Sequence, residues 1–268
     1  MYLKWLVGAA LLSWTYVLNN WTNSFPRNEN ANPDMFWTVV CLTGIVAGLT
    51  LKTSEKDEMC SRHQTDEWKG FMQIVFLLYH YYRATFVYNE IRVFVSCYVW
   101  MTGFGNYLYF TKKKDFSRKR VIGTLIRINL LTICLMLIHQ TPMMLYYVVP
   151  LHTVFFGVTY VTCWIIERTQ RPLLVLFSTL CVLILVFECI PLPWSHEMNF
   201  RFGLDKYSAW IGMMCAWAVT RISKTSVWGG VMGSALIIIW YIFWGSNPDK
   251  YIYNRIFCFY YQKTMSLK

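Results

Sequence analysis

Charged residues are scarce in this sequence. Asp, Glu, Lys and Arg make up 15% of its 268 residues, whereas soluble domains carry about 25%. Apolar residues account for 56%, the mean hydropathy is +0.35, and apolar runs of nearly twenty residues recur along the chain. Runs of that length cross a bilayer as helices. The scarcity of charge excludes a soluble domain and predicts an all-α, polytopic transmembrane helical bundle with about nine to ten membrane helices.

Cysteine pairs at metal-binding spacing are also missing. The nine cysteines occur singly, most of them inside apolar segments, and no Cys-x-x-Cys is present. They are interpreted as small packing residues, so the sequence predicts no zinc site, no disulfide framework and no metal. The glycines Gly103 and Gly105 follow no strand and precede no Lys-Ser/Thr, which argues against a phosphate-binding loop.

Nine apolar segments are predicted as helices, and a further aromatic segment begins at Tyr251. The nine cover about residues 3–18, 35–51, 70–85, 91–110, 121–138, 144–166, 173–190, 207–220 and 229–245. Polar loops are predicted between them, among them residues 52–67, 111–120 and 191–206. The whole chain, 1–268, is predicted to form one multi-pass membrane domain.

Positive charge is concentrated on one predicted side of the membrane. Loop 111–120 holds six basic residues and one acid, Asp115; if this loop is cytosolic, seventeen of the 25 Lys and Arg lie on its side and seven on the other. Cytosolic loops carry such an excess. Topology thus accounts for the net charge of +11, and no nucleic-acid partner is predicted. The sequon Asn20-Trp-Thr22 falls on the luminal side, which makes Asn20 a predicted glycosylation site.

One histidine, His80, is predicted to lie inside a membrane helix. Asp66, Glu67 and Lys69 precede that helix, and Lys69 is eleven positions before His80. On a helix these two side chains point in nearly the same direction, about 16 Å apart. Ionisable groups at such depth usually face a bundle interior or a wet cavity, and histidine suits acid–base or nucleophilic chemistry. The spacing alone leaves a structural histidine, bonded to a neighbouring helix, as an equal alternative.

An arginine is also predicted near mid-membrane. Arg127 lies close to the middle of the segment 121–138, with Asn129 beside it. Because an unpaired charge is costly at that depth, Arg127 is predicted to pair with a ligand phosphate or an intramembrane acid. Glu188, near the end of the segment 173–190, is interpreted as interfacial.

Five stretches of the sequence carry a family resemblance. They are Arg62-His-Gln-Thr-Asp-Glu-Trp-Lys-Gly-Phe-Met-Gln73, Val87-Tyr-Asn-Glu-Ile-Arg92, Trp100-Met-Thr-Gly-Phe-Gly-Asn106, Leu145-Tyr-Tyr-Val-Val-Pro-Leu-His152 and Phe202-Gly-Leu-Asp-Lys-Tyr207. Together they resemble the membrane domain of the capsule-type polysaccharide O-acetyltransferases. That family includes the animal sialate O-acetyltransferase and the plant reduced-wall-acetylation proteins. The resemblance covers roughly residues 60–220.

The resemblance implies a reaction and a catalytic histidine. Acetyl would move from acetyl-coenzyme A to a hydroxyl of a luminal glycan, a polysaccharide or sialic acid, in the Golgi membrane. The wider superfamily carries a basic or amide residue, ten intervening residues and a histidine on an early helix, and Lys69 and His80 match this spacing. His80 is thus the predicted general base or transient acetyl carrier, with Lys69 and Asp66 or Glu67 setting its protonation or gating the site.

Other residues are predicted to contact the substrates. The phosphates of acetyl-coenzyme A would meet loop 111–120, with Arg127 deeper in the bundle. Arg92, Asn106 and His152 are the further predicted substrate contacts, and membrane lipid and a glycan acceptor are the expected partners.

Two departures from the family keep other functions open. Nothing here matches the luminal Gly-Asp-Ser hydrolase-like domain of the animal enzyme, and family members continue for several more helices, so the chain is expected to be an incomplete copy. The main alternative is a transporter that supplies acetyl groups or acetyl-coenzyme A to a separate luminal transferase. A non-enzymatic assembly subunit is the third hypothesis.

Overall fold

The computed structural model describes residues 2–21, 32–50, 62–82, 84–140, 142–189 and 196–221. All regular structure in these ranges is helical, which confirms the predicted all-α class for this part of the chain. The helices are α1 Tyr2–Trp21, α2 Pro33–Leu49, α3 Arg62–Tyr81, α4 Tyr88–Lys113, α5 Arg118–His139, α6 Val148–Thr169, α7 Pro172–Ile184, α8 His196–Asp205 and α9 Ser208–Arg221. A π-helical turn, Leu185–Cys189, continues α7. The helix predicted over 229–245 and the segment from Tyr251 lie outside the described residues.

Three of the described helical segments are long and apolar enough to cross a membrane. They are Arg118–Ile138, Val148–Thr169 and Pro172–Cys189. Leu6–Val17 and Pro33–Leu49 are apolar but shorter. Helices α3 and α4 are long, with 20 and 26 residues, but their polar residues keep them below the hydropathy of a candidate span. The described residues therefore support a multi-span helical protein and leave the predicted number of nine to ten spans unconfirmed.

Two of the predicted loops contain helix. Helix α3 begins at Arg62 rather than Gly70 and ends at Tyr81 rather than Thr85, and α8 lies within the predicted loop 191–206. Arg, Gln and Glu are good helix formers, so the polar stretch before Gly70 extends α3 instead of ending it. Because α3 ends at Tyr81, His80 lies in its last turn and not further inside the helix, as was expected.

The predicted basic loop 111–120 is reduced to a four-residue turn. Helix α4 continues through Lys113, and α5 begins at Arg118. Ser117 caps α5, since its hydroxyl oxygen accepts from the backbone N–H of Arg120 at 3.4 Å. Lys114 takes the left-handed conformation, with φ of 51°, which stops α4. The basic residues of this stretch are therefore presented mainly from helix ends.

The first of two compact units comprises residues 1–91 and 115–154. Within it α1 packs on α5, and α2 packs on α3. Phe36 of α2 is 1% exposed and meets the ring of Phe86 edge-on, with centroids 5.7 Å apart. Asn129 of α5 donates to the hydroxyl of Thr153 at 2.9 Å. That bond ties the middle of α5 to the first turns of α6.

The second unit comprises residues 92–114 and 155–268. Here α4 and α9 approach so closely that only glycine fits at the contact. A Cβ added at Gly103 would lie against the carbonyl of Ala209, and one added at Gly212 would lie against the carbonyl of Trp100. Helix α9 also packs on α7, where the indole N–H of Trp210 donates to the carbonyl of Leu176 at 2.8 Å. Small residues allow this close approach between apolar helices.

We expect Gly103→Ala to destabilise the second unit by about 1–3 kcal/mol, because the added methyl group overpacks a backbone contact. Gly105→Ala is the matched control on the same helix, since a Cβ at Gly105 meets nothing within 4 Å. The control is expected to be neutral or up to about 1 kcal/mol more stable, because alanine has the higher helix propensity. Thermal unfolding in detergent measures both variants. Equal melting temperatures would contradict the close α4–α9 contact.

Candidate functional site

The first unit contains a buried histidine, His152. It is the fifth residue of α6 and is 6% exposed. Lys69 of α3 lies close enough for its charge to act on the imidazole. The adjacent Thr153 and Asn129 exchange hydrogen bonds at 2.9 and 3.1 Å, and Asn129 is the twelfth of the 21 residues of its candidate span. The structure thus brings the Lys69 charge within range of His152, an interaction that the sequence spacing did not predict.

His80 is exposed in the described structure and does not show the interior-facing position that was expected. Its ring meets that of Tyr79 edge-on, with centroids 5.2 Å apart. Eleven residues still separate it from Lys69 along α3, about 16 Å of helix, which is too far for a direct hydrogen bond. Any influence of Lys69 on His80 must therefore pass through other groups. The catalytic role of His80 stays a prediction.

The remaining predicted groups of the first unit lie at the surface. Asp66 and Glu67 are exposed in the second turn of α3, and Lys69 is half-buried. Arg127 is exposed at the tenth position of the span Arg118–Ile138, and the described residues offer it no acidic partner. The intramembrane acid that was one of its predicted partners is therefore not found in this part of the chain.

In the second unit, Arg92 contacts an acid rather than an open site. Its guanidinium Nη2 lies 2.8 Å from Oδ2 of Asp205, and the two side chains are 8% and 0% exposed. The hydroxyl of Ser96 donates to the other carboxylate oxygen. Burial raises the pKa of the Asp205 carboxyl, and the nearby Arg92 and Ser96 oppose that shift. Since a buried charge needs an opposite charge beside it, Arg92 and Asp205 form a structural ion pair, and the predicted substrate contact at Arg92 stays a prediction.

Asn106 uses its amide within its own helix. Its Nδ2 donates to the carbonyl of Thr102, one turn earlier in α4, at 2.8 Å. The side chain is half-buried, and its predicted contact with substrate remains a prediction.

A second charged cluster of this unit was missed by the sequence reasoning. The carboxylate of Glu188, in the π-helical turn after α7, pairs with the ammonium group of Lys206 and accepts from the hydroxyl of Tyr207 at 3.1 Å. Burial and the neighbouring Glu188 raise the pKa of Tyr207 to about 12, so this hydroxyl stays a donor at neutral pH. The adjacent opposite charges of Asp205 and Lys206, within a stretch already matched to the family, were the available signal.

Two further predictions can be compared only with the part of the chain that the structure describes. Asn20 lies in the last turn of α1, whereas Thr22, the third residue of its sequon, lies outside them. Within the described ranges no three His, Cys, Asp or Glu side chains are grouped as a metal ion would require.

Comparison with known proteins identifies the family. The model of a "10 TM Acyl Transferase domain found in Cas1p" matches residues 6–192, well over half of the chain. The chain belongs to this family. An N-acetylneuraminate (7)9-O-acetyltransferase from Danio rerio is 33% identical over an alignment of 205 residues, which covers 65% of this chain and 26% of that relative. The chain therefore spans about a quarter of the relative's length. No solved structure matches the chain.

Membership in this acyltransferase family confirms the resemblance that the sequence showed. The matched residues include Lys69, His80 and His152, and they end between Glu188 and Asp205. His80 and His152 thus fall inside the matched region, whereas the Arg92–Asp205 and Lys206–Glu188 ion pairs of the second unit extend beyond it.

Proposed function

We propose that this protein transfers acetyl groups from acetyl-coenzyme A to hydroxyls of a luminal glycan, as a multi-pass protein of the Golgi membrane. The observation that carries the proposal is the family match over residues 6–192, which contains the Lys69-x₁₀-His80 spacing. The similarity to a sialate O-acetyltransferase supports acetyl as the transferred group and a sugar hydroxyl as its acceptor.

The start of α5 is the proposed contact for the coenzyme phosphates. Arg118 and Lys119 are exposed there, Arg120 is half-buried, and Arg127 is exposed further along the same helix. A rise of 1.5 Å per residue puts Arg127 about 13 Å beyond Arg118, deep in the candidate span. Guanidinium groups bind phosphate oxygens in pairs. An anionic donor bound beside Arg127 offsets the free-energy cost of an exposed arginine at this depth.

His80 is the proposed group that handles the acetyl. A catalytic base or nucleophile must come within hydrogen-bond reach of its substrate, and the exposed ring of His80 allows this whereas the buried His152 does not. As a carrier, its neutral nitrogen attacks the thioester carbonyl, and the coenzyme sulfur leaves and takes up a proton. The sugar hydroxyl then attacks the acetyl-imidazole, loses its proton and regenerates the neutral ring. Asp66 and Glu67 flank the route along α3 by which the substrate reaches His80.

Lys69 and His152 are proposed to hold the middle of the first unit in position for this reaction. His152 is buried on α6 and lies within range of the charge of Lys69 on α3, so its proposed role is to position these helices and not to touch the donor. In this arrangement Lys69 acts on the site through the position of α3.

We expect sealed vesicles with the cytosolic side outward to transfer labelled acetyl from external acetyl-coenzyme A to a trapped glycan. The coenzyme is polyanionic and cannot cross hydrocarbon, so it should stay outside while the small, uncharged acetyl group passes through the helices. Vesicles that contain His80→Ala provide the control and should show no transfer. Intact labelled coenzyme in the lumen, or transfer that requires an added luminal transferase, would overturn the proposal and support the transporter.

A further inference from the structure

Basic side chains of the second unit gather where α6 is followed by α7. The candidate spans Val148–Thr169 and Pro172–Cys189 are separated by only Gln170 and Arg171. So short a turn between two membrane spans lies at the level of the lipid headgroups, because each span takes up the thickness of the hydrocarbon core. Arg168 and Arg171 are exposed at this turn. The ends of two helices therefore place two arginines at the membrane surface.

The guanidinium group of Arg168 lies over an aromatic ring on the membrane side of this turn. Its central carbon is 4.9 Å from the ring centroid of Trp164, which lies one turn earlier in α6 and is 42% exposed. Helical side chains point toward the start of their helix, so Arg168 extends back along α6 rather than into the solvent beyond it. Tryptophan is enriched at the headgroup level, and its ring attracts the cation. The stacked pair thus holds Arg168 among the headgroups.

The end of α4 brings further positive charge to the same place. The ammonium group of Lys114 lies 2.8 Å from the carboxylate of Glu167, which ties the residue after α4 to the last turn of α6. Lys112 and Lys113 are exposed in the last turn of α4. Because Glu167 directly precedes Arg168 in the chain, these lysines and the two arginines occupy the same end of the unit.

Positive charge is in excess at this end of the second unit. Arg221, the last residue of α9, contributes as well, since its charge acts on the phenol of Tyr107 in α4. Asp115, the acid that follows Lys114, belongs to the first unit and accepts from the backbone N–H of Ser117 at 3.1 Å. In the described part of the second unit, this end thus has one acid, Glu167, and six bases: Lys112, Lys113, Lys114, Arg168, Arg171 and Arg221. These seven residues form the basic end of the second unit, which has an excess of five positive charges.

We propose that the basic end binds anionic phospholipids of the leaflet in which it lies, and that Arg168 and Arg171 hold the lipid phosphate. A guanidinium group donates two parallel hydrogen bonds to phosphate oxygens, and basic groups between membrane helices bind acidic headgroups. The lipid phosphate lies at the depth of Arg168, and the acyl chains beneath it contact the exposed ring of Trp164. This inference requires neither the acetyl transfer nor the orientation proposed above.

Membrane topology accounts for the side on which these bases lie, but not for the way in which Arg168 is held. A base that served topology alone could extend into the aqueous phase, whereas Arg168 is stacked on an exposed ring of its membrane span. A soluble anion would have to enter the headgroup layer to reach it. The charge excess then selects among lipids, because a zwitterionic headgroup brings a cation of its own to a surface that is already positive. A phospholipid with net negative charge fits both the depth and the charge of the basic end.

Lipid retention by the full chain tests this surface without an assay of turnover. Native mass spectrometry of the purified protein, supplied with equal amounts of phosphatidylserine and phosphatidylcholine, should show phosphatidylserine bound about tenfold more tightly. The double variant Arg168→Gln, Arg171→Gln should lose most of this preference. Both side chains are exposed, so its melting temperature in detergent should equal that of the wild type. Lys112→Gln, Lys113→Gln is a second double variant and should reduce the preference in the same direction.

The matched control is Arg118→Gln, Lys119→Gln, which removes two exposed bases from the first unit and should leave the preference within about twofold of the wild type. An equal loss in this control and in Arg168→Gln, Arg171→Gln would indicate diffuse attraction and overturn the site. Equal retention of both lipids by the wild type, or an unchanged preference in both double variants of the basic end, would overturn it too. Displacement of phosphatidylserine by equimolar coenzyme A or inorganic phosphate would assign the surface to a soluble anion instead of a lipid.

Discussion

His80→Ala is expected to reduce acetyl transfer at least 100-fold, the usual lower bound for loss of a catalytic acid–base group. If the ring is an acetyl carrier, the loss is larger, because no other group then accepts the acetyl from the thioester. His80 is exposed in the last turn of α3, so its removal leaves no cavity and the melting temperature should stay unchanged. Transfer assays and thermal unfolding of the same purified variant measure both effects.

His152→Ala is the matched histidine variant, and its expected effects are reversed. The side chain of His152 is 6% exposed, so its truncation removes buried contacts and should lower the melting temperature. Activity measured well below that temperature should then fall much less than in His80→Ala. Near-normal transfer by His80→Ala, together with complete loss by a folded His152→Ala, would move the catalytic role to His152.

The existence of the helices was predictable from apolar runs, but their ends were not. Hydrophobicity located the segments 121–138, 144–166 and 173–190, which correspond to the three candidate spans. It could not locate the start of α3, because the polar residues from Arg62 onward favour helix as strongly as the apolar ones do. The helix also ends at Tyr81, four residues before the predicted end, so His80 lies in its last turn. His152, by contrast, is a histidine that the structure buries, at 6% exposure, whereas the catalytic role of His80 stays a prediction.

The contacts of the candidate sites depend on residues far apart in the sequence. Arg92 and Asp205 are separated by 113 positions, and nothing in local spacing pairs them. The predicted topology placed both residues near the same side of the membrane. Counting charges could not predict more than that. Likewise Glu188 was interpreted as interfacial, since its bonds to Lys206 and Tyr207 arise only when the π-helical turn and α8 are folded. Helical periodicity predicts which residues share a face of one helix, but it does not predict which residues of another helix contact that face.

Asp205→Ala is expected to destabilise the second unit by about 3–5 kcal/mol, because it leaves the guanidinium of Arg92 buried without its counter-charge. The Asp205 side chain is fully buried and joins Arg92 and Ser96 of α4 to the end of α8. Unfolding in detergent by heat or denaturant measures the loss. Asp205→Asn keeps an oxygen that accepts from Ser96 but removes the charge, so it should fall between the wild type and the alanine variant.

Two controls separate the charge effect from lost packing. The double variant Arg92→Met, Asp205→Leu removes both charges and fills the space with apolar atoms, so it should recover most of the stability that Asp205→Ala loses. Glu167→Gln breaks the ion pair with Lys114. The side chains of Lys114 and Glu167 are 60% and 37% exposed, so this variant should lower the free energy of unfolding by about 1 kcal/mol or less. If the double variant is no more stable than Asp205→Ala, an unpaired buried charge is not the cause. A double variant that is stable but inactive would show that Arg92 contacts substrate as well, as was predicted from the sequence.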